Sequence, residues 1–416
     1  MSQIPRDRSL DSTLALLLDG YRFISKRCER YRSDIFETRL MLTKAVCMRG
    51  EEAARIFYDG DRLTRQGAMP VPVLKLLQDK GSVQQMDGQA HRHRKRMFMS
   101  LMTPASIQQI GDLFADQWRT RVGMWKDRGE VVLHEEMQEI LCIAVCRWAG
   151  VPLTAAEAKQ RAREFAAMID GAGAVGPRNW RGLLLRARTE RWIRDVIEKV
   201  RAGELTVAEE SAAHAIAWYR DPDGELLDTK VAAVEMINLL RPTVAVAWYV
   251  TFAALALHEH PACRPRLEAG DGDYLECFVQ EVRRFYPFFP LVGGRVQNGF
   301  EWKGYHFAQG IWVLLDLYGT NHDARVWDEP DVFRPERFRR WDRNAFNFIS
   351  QGGGDHHESH RCPGEWITIE LMKRAVTLLT MAMDYDVPEQ DLRVDLSRMP
   401  AIPKSRFVIT NARLTR

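Results

Sequence analysis

Between Asp228 and His258 the sequence keeps a helical pattern that is apolar nearly all round, and inside it runs Thr243–Leu257, TVAVAWYVTFAALAL. A helix without a polar face has to be surrounded by protein or by lipid. The apolar run is shorter than the roughly 20 residues a bilayer requires, and Arg241 and His258 bracket it. The expectation is a central helix buried within a large soluble protein, with no membrane span.

The rest of the chain reads as more helix around it. Apolar periodicity predicts helices over Asp11–Tyr31, Ala105–Trp125, His134–Ala149, Ala155–Met168 and Arg186–Ala202. Two more follow, Tyr274–Tyr286, which Pro287 ends, and Gly364–Met383. Strand-like stretches are short: Phe36–Leu42, Lys44–Arg49, Val292–Gln297, Ile311–Leu317 and Phe407–Thr410. Neither a repeat nor a Gly/Ser/Pro-rich linker divides the chain, and Gly171–Trp180 and Gly352–His360 read as glycine-rich loops. One mainly α domain with small β-sheets is expected over residues 1–416.

Composition narrows the setting. Acidic residues are mixed with the basic ones and the net charge is only +3, which gives no case for nucleic-acid binding. The cysteines number seven, an odd count in a long chain, and the early LALLL is too short and interrupted for an export signal. A reducing cytoplasm is the expected compartment. Cys142 and Cys146, four apart on a predicted helix, read as core thiols.

Three constellations carry chemistry. In FNFISQGGGDHHESHRCPGEWITIELMK, Cys362 follows a flexible glycine-rich approach and precedes an amphipathic helix. The free N–H groups and dipole at such a helix start favour a thiolate. Pro363 suits the first turn, and Gly364 allows a planar group to approach the backbone. Spacing alone leaves a haem ligand, a nucleophile, a zinc ligand and an inert thiol open. Zinc is disfavoured because no CxxC partner accompanies His356, His357 and His360. The second constellation is Glu281–Arg284 (EVRR) with Arg337 in FRPERF, an i,i+3 pair and a later arginine that on their own fit a solvated bridge.

The third is Arg241-Pro242 in INLLRPTVAVAW. Pro242 lacks an N–H and crowds the carbonyl of Asn238, so a distortion of the helix is expected there. Arg241 stands among Leu239, Leu240, Val244 and Val246, with Glu235, the nearest acid in the helix, six residues away. A buried guanidinium stays charged and requires an anion, and an anionic substrate would supply it. The alternatives are a snorkelling arginine and a propionate contact.

Together, Glu281-x-x-Arg284, the PERF segment and the Cys362-Pro-Gly loop resemble the cytochrome P-450 superfamily of haem-thiolate proteins. The resemblance implies that fold, with haem b between the central helix and the cysteine-loop helix. It implies Cys362 as axial thiolate and metal ligand, and Glu281, Arg284 and Arg337 as a buried triad. It also implies propionate contacts from His360, from His91 and Lys95 of the Asp87-Gly88-x-x-His91 motif, and from Arg65. Where ordinary members carry an acid–alcohol pair that relays protons, this chain has Arg241-Pro242, and its cysteine loop is longer. Both departures, with QEVRRFYPFFP, LDLYGTNHD and QGGGDHH, resemble the bacterial fatty-acid peroxygenase branch. That likeness implies hydrogen peroxide as co-substrate, no reductase, and a long-chain fatty acid whose carboxylate, held by Arg241, acts as general acid–base. Attack is then expected at the α or β carbon, with a lean towards α. Gln84 falls at a distal position, where glutamine leans towards hydroxylation rather than decarboxylation, and Phe288 and Phe289 are candidates to pack the acyl chain.

Overall fold

A computed structural model describes residues 3–415; residues 1, 2 and 416 of the expected domain lie outside it. The central helix runs over Thr229–Glu259, started by the Asp228 side chain, which accepts from the Lys230 N–H. It packs against helices Leu133–Ala149, Pro177–Arg201 and Glu365–Thr377. Its most apolar window is 94% buried inside the protein, so it is the axis of the core and not a membrane span. Trp118, Val145, Phe165, Ile193, Phe252 and Leu371 belong to the cluster that encloses it.

Pro242 sits inside the helix, which runs on past it without a break in the assignment. The missing N–H removes one ladder bond. Val244, Ala245, Val246 and Ala247 on one side and Ile237, Leu239 and Leu240 on the other are all buried, and packing on every face holds a helix that the local sequence would weaken. Thr243 Oγ1 donates to the Leu239 carbonyl at 2.9 Å.

Other boundaries shift for local reasons. Asp11–Tyr31 is two helices, Thr13–Asp19 and Phe23–Tyr31, because Gly20 adopts φ +54° between them. The helix expected from Arg186 begins at Pro177; proline at the first helical position starts a helix although it reads as loop in a glycine-rich stretch. Helix Gly88–Ser100 was not anticipated, since HRHRK has no apolar stripe, yet His91, Arg94 and Lys95 are buried. Helices Glu51–Tyr58 and Val71–Leu77 were likewise not anticipated.

Among the described residues the strands form small sheets. The largest orders Ile35–Leu40, Thr43–Met48, Trp312–Asp316, Leu291–Val296 and Leu63–Thr64, with Ala45 opposite Trp312 in parallel and Leu291 opposite Asp316 in antiparallel register. Val131–Val132, Val408–Leu414 and Met383–Asp386 make a second.

The triad is present and buried. Glu281 accepts from Arg284 Nε and Nη2 at 2.7 and 2.8 Å and from Arg337 Nε at 3.1 Å. The remaining Arg284 nitrogen donates to Asn321 O and Pro330 O, which ties this helix to the segment before the cysteine loop. A carboxylate removed here leaves an unpaired buried guanidinium, so Glu281→Ala is expected to cost about 3–5 kcal/mol. A fall of that size in urea unfolding checks it; a change below about 1 kcal/mol, the surface value, contradicts it.

Candidate active site

Cys362 stands at the junction of the glycine-rich loop and helix Glu365–Thr377. Its N–H donates to Gln351 O at 3.0 Å, and its carbonyl accepts from Glu365 N at 3.4 Å. Gly352 and Gly354 carry φ of +94° and +81°, conformations that fold the loop back beneath Tyr58 and that side chains with a β-carbon rarely adopt. Glu365 anchors the structure: it accepts from Arg361 Nε at 2.7 Å, from His356 at 3.0 Å and from Arg283. Burial alone would raise its pKa, but these partners hold it below the usual carboxylate range. His356 is therefore occupied, and it also stacks on Trp366 at 4.4 Å. No group of three or more His, Cys, Asp or Glu residues suited to a metal occurs among the described residues.

The residues expected to meet haem propionates converge on this loop. His91 and His360 pack with ring centroids 4.0 Å apart and their planes tilted by 35°, and burial pushes them down to about 3 and about 4. His360 Nε2 is 3.8 Å from Asp87. Arg65 stacks 4.1 Å over Phe57, donates to Gly293 O at 2.9 Å, and has no carboxylate within ion-pair distance among the described residues. Gly293 also lets the backbone at Ala68 lie close against this strand, since a β-carbon there would meet Ala68 O at 2.5 Å. Lys95 donates to the Ser359 carbonyl and, at 2.7 Å, to that of Arg361. It fastens the cysteine loop, and burial lowers it to about 8.

Arg65, His360 and Gln84 line one cavity of about 90 Å3 with Tyr58, Gln78 and Val292. A groove of about 1200 Å3 bordered by Arg22, Glu259 and Glu389 shares none of these residues. A thiol at a helix start, with buried cations short of carboxylates beside it, fits an iron porphyrin with two anionic propionates.

Arg241 is 5% exposed, and one nitrogen donates to Leu76 O at 2.7 Å. Among the described residues no carboxylate comes within ion-pair distance of it. Glu235 is engaged elsewhere, accepting from Arg94 Nη1 at 2.7 Å, Val83 N at 2.8 Å and Asn238 Nδ2 at 3.3 Å. Burial, with the charge of Arg186 adding to it, pulls the Arg241 pKa to about 9, which leaves the cation intact at neutral pH. Asn238, one turn before Pro242, donates to Gln84 Oε1 at 3.1 Å and so fixes Gln84 against the central helix. Phe288 packs 4.4 Å from Tyr249, two turns along the helix from Arg241, whereas Phe289 is 42% exposed. Of the two, Phe288 is the one turned into the core. Asn238, Arg94 and Leu76 were not singled out in the sequence, because their partners lie far along the chain.

Comparison with known proteins agrees with this arrangement. The family profile of Cytochrome P450 matches residues 271–404. A curated relative, "Cytochrome P450 71A8" of Mentha piperita, is 29% identical over 140 residues, and the match covers 32% of this chain and 27% of the relative. The chain thus spans about a quarter of the length of that relative. Solved structures match along their whole length. Cytochrome P450SP alpha (CYP152B1) in complex with (R)-ibuprophen is 52% identical with a TM-score of 0.96, covering 98% of this chain and 100% of that one. Cytochrome P450EX alpha (CYP152N1) with myristic acid is 44% identical with a TM-score of 0.97, covering 100% of both chains. Cytochrome P450 OleT, in a variant form in complex with arachidonic acid, is 34% identical with a TM-score of 0.97, covering 100% of this chain and 99% of that one. With a thiol at the right place and a fold shared from end to end, this chain belongs to the cytochrome P450 family of haem-thiolate proteins, in the branch that contains these CYP152 proteins.

Proposed function

We propose that the chain is a fatty-acid peroxygenase, a haem-thiolate oxidoreductase that hydroxylates long-chain fatty acids at the α (or β) carbon with hydrogen peroxide. The observation that carries this reading is Arg241: a buried cation on the central helix with a backbone carbonyl, and no carboxylate, as its partner. The three relatives described above were each solved with a carboxylic acid, which supports an acid as the missing anion here.

The haem bound through Cys362 supplies the oxidising chemistry; the chain supplies position and protons. Arg241 offers a planar fork suited to a carboxylate. A carboxylate held there can take and return the peroxide proton, which neither Glu235 nor Thr243 of the helix is free to do. Glu235 is bound by Arg94, and the Thr243 hydroxyl is spent on Leu239 O. Holding the acid by its head brings Cα and Cβ nearest the reaction centre and leaves the tail to apolar contacts such as Phe288. Gln84, fixed by Asn238, adds an amide without a titratable proton. Such chemistry requires no reductase. Seven free cysteines among the described residues suit a reducing cytoplasm, where we place the enzyme.

Incubation with a saturated long-chain acid and peroxide alone is expected to yield the 2-hydroxy acid, with or without the 3-hydroxy acid. No hydroxy acid without added reductase would overturn the proposal in favour of a reductase-driven monooxygenase. Arg241→Ala is expected to lower peroxide-driven turnover about a hundredfold or more while haem is retained; undiminished turnover argues for a different anion site. Cys362→Ser should abolish the thiolate-type Soret band of the reduced carbonyl complex, and its persistence would show another axial ligand.

A further inference from the structure

A second arginine lies beside the anion site. Arg186, on helix Pro177–Arg201, is 3% exposed, and all three of its guanidinium nitrogens lack a hydrogen-bond partner. Its two nearest carboxylates, Asp79 and Glu190, are each 3.9 Å away, longer than a charge-assisted hydrogen bond. Both are shared: Glu190 accepts from Arg194 at 3.1 Å, and Asp79 accepts from the Lys80 N–H at 2.8 Å. The Arg186 charge is therefore only partly compensated, and Asp79 is its link to the segment that meets Arg241.

The two arginines also meet on one stretch of backbone. Leu76 O accepts from Arg241, Gln78 O accepts from Asn238 at 3.4 Å, Gln78 lines the cavity with Gln84, and Asp79 faces Arg186. Asp79 holds φ +74°, a left-handed conformation that a residue with a β-carbon keeps only where its surroundings impose it. Its N–H closes the end of helix Val71–Leu77 on Leu74 O at 2.7 Å.

We infer that Arg186 is a positioning residue for the fatty-acid carboxylate: paired with Asp79, it holds the Leu76–Asp79 segment against which Arg241 is aimed. The inference rests on the reading that Arg241 receives the carboxylate. Fixing Leu76 O restricts where the Arg241 fork can point.

The test compares Arg186→Gln, Arg186→Lys and Asp79→Asn with Arg241→Ala, each as haem-loaded protein. Dissociation constants are read from Soret shifts for a saturated fatty acid and for imidazole, which binds iron without a carboxylate. Arg186→Gln should weaken acid binding about tenfold and leave imidazole unchanged, with Arg186→Lys recovering most of the loss and Asp79→Asn falling between. If Arg186→Gln does not fold, Asp79→Asn carries the same comparison. Unchanged acid binding, or equal weakening of acid and imidazole, overturns the role of Arg186. Undiminished acid binding by Arg241→Ala overturns the underlying reading as well, so the two failures are distinguishable.

Discussion

A guanidinium buried without a carboxylate is the constraint to which the rest of this structure answers. Removing such a charge from water costs several kcal/mol even after relaxation, and the Leu76 carbonyl returns only part of that. The protein carries the deficit because the central helix is buried on every face and its one nearby acid is bound by Arg94. Under the proposed function an incoming carboxylate would gain what the protein withheld, since charge-assisted hydrogen bonds contribute about 1.5–3 kcal/mol each. Substrate affinity and the supply of a proton-transfer group would then arise from one arrangement.

Around that point the molecule is rigid where the chemistry requires it. On one side the Glu281 triad and the Glu365 cluster hold the cysteine loop with buried charge pairs. Lys95 and the His91–His360 pair join that loop to helix Gly88–Ser100. On the other side Asn238 and Gln84 link the central helix to the cavity wall. Most of these contacts join segments far apart in sequence, such as Arg283 with Glu365, Arg337 with Glu281 and Asn238 with Gln84, so the site exists only in the folded chain.

The elements that could be read directly were those whose signal is local. The central helix, the cysteine-loop helix and the hairpin near Phe36–Arg49 show their periodicity in a short window, and Cys362, Arg241 and the Glu281–Arg284 pair stand out by residue type and spacing. Helix Gly88–Ser100 was hidden because its buried face carries His91, Arg94 and Lys95, whose partners lie far along the chain: Arg94 meets Glu235, and Lys95 meets carbonyls of the cysteine loop more than 260 residues later. The start at Pro177 was masked by glycines. Pro242 pointed to a weak place in the helix, and burial on both sides of it carries the helix through. The pairing of Glu235 with Arg94, 141 residues apart, is what leaves Arg241 without an acid, and no spacing rule contains it.

The central claim is that the substrate's own carboxylate completes the reaction centre. Peroxide-driven turnover of a saturated fatty acid, set against the primary alcohol of the same chain length at saturating concentrations, tests it most directly. The acid should be hydroxylated near its head and the alcohol should not be turned over, although both fill the same apolar path. Comparable hydroxylation of the alcohol would contradict the account.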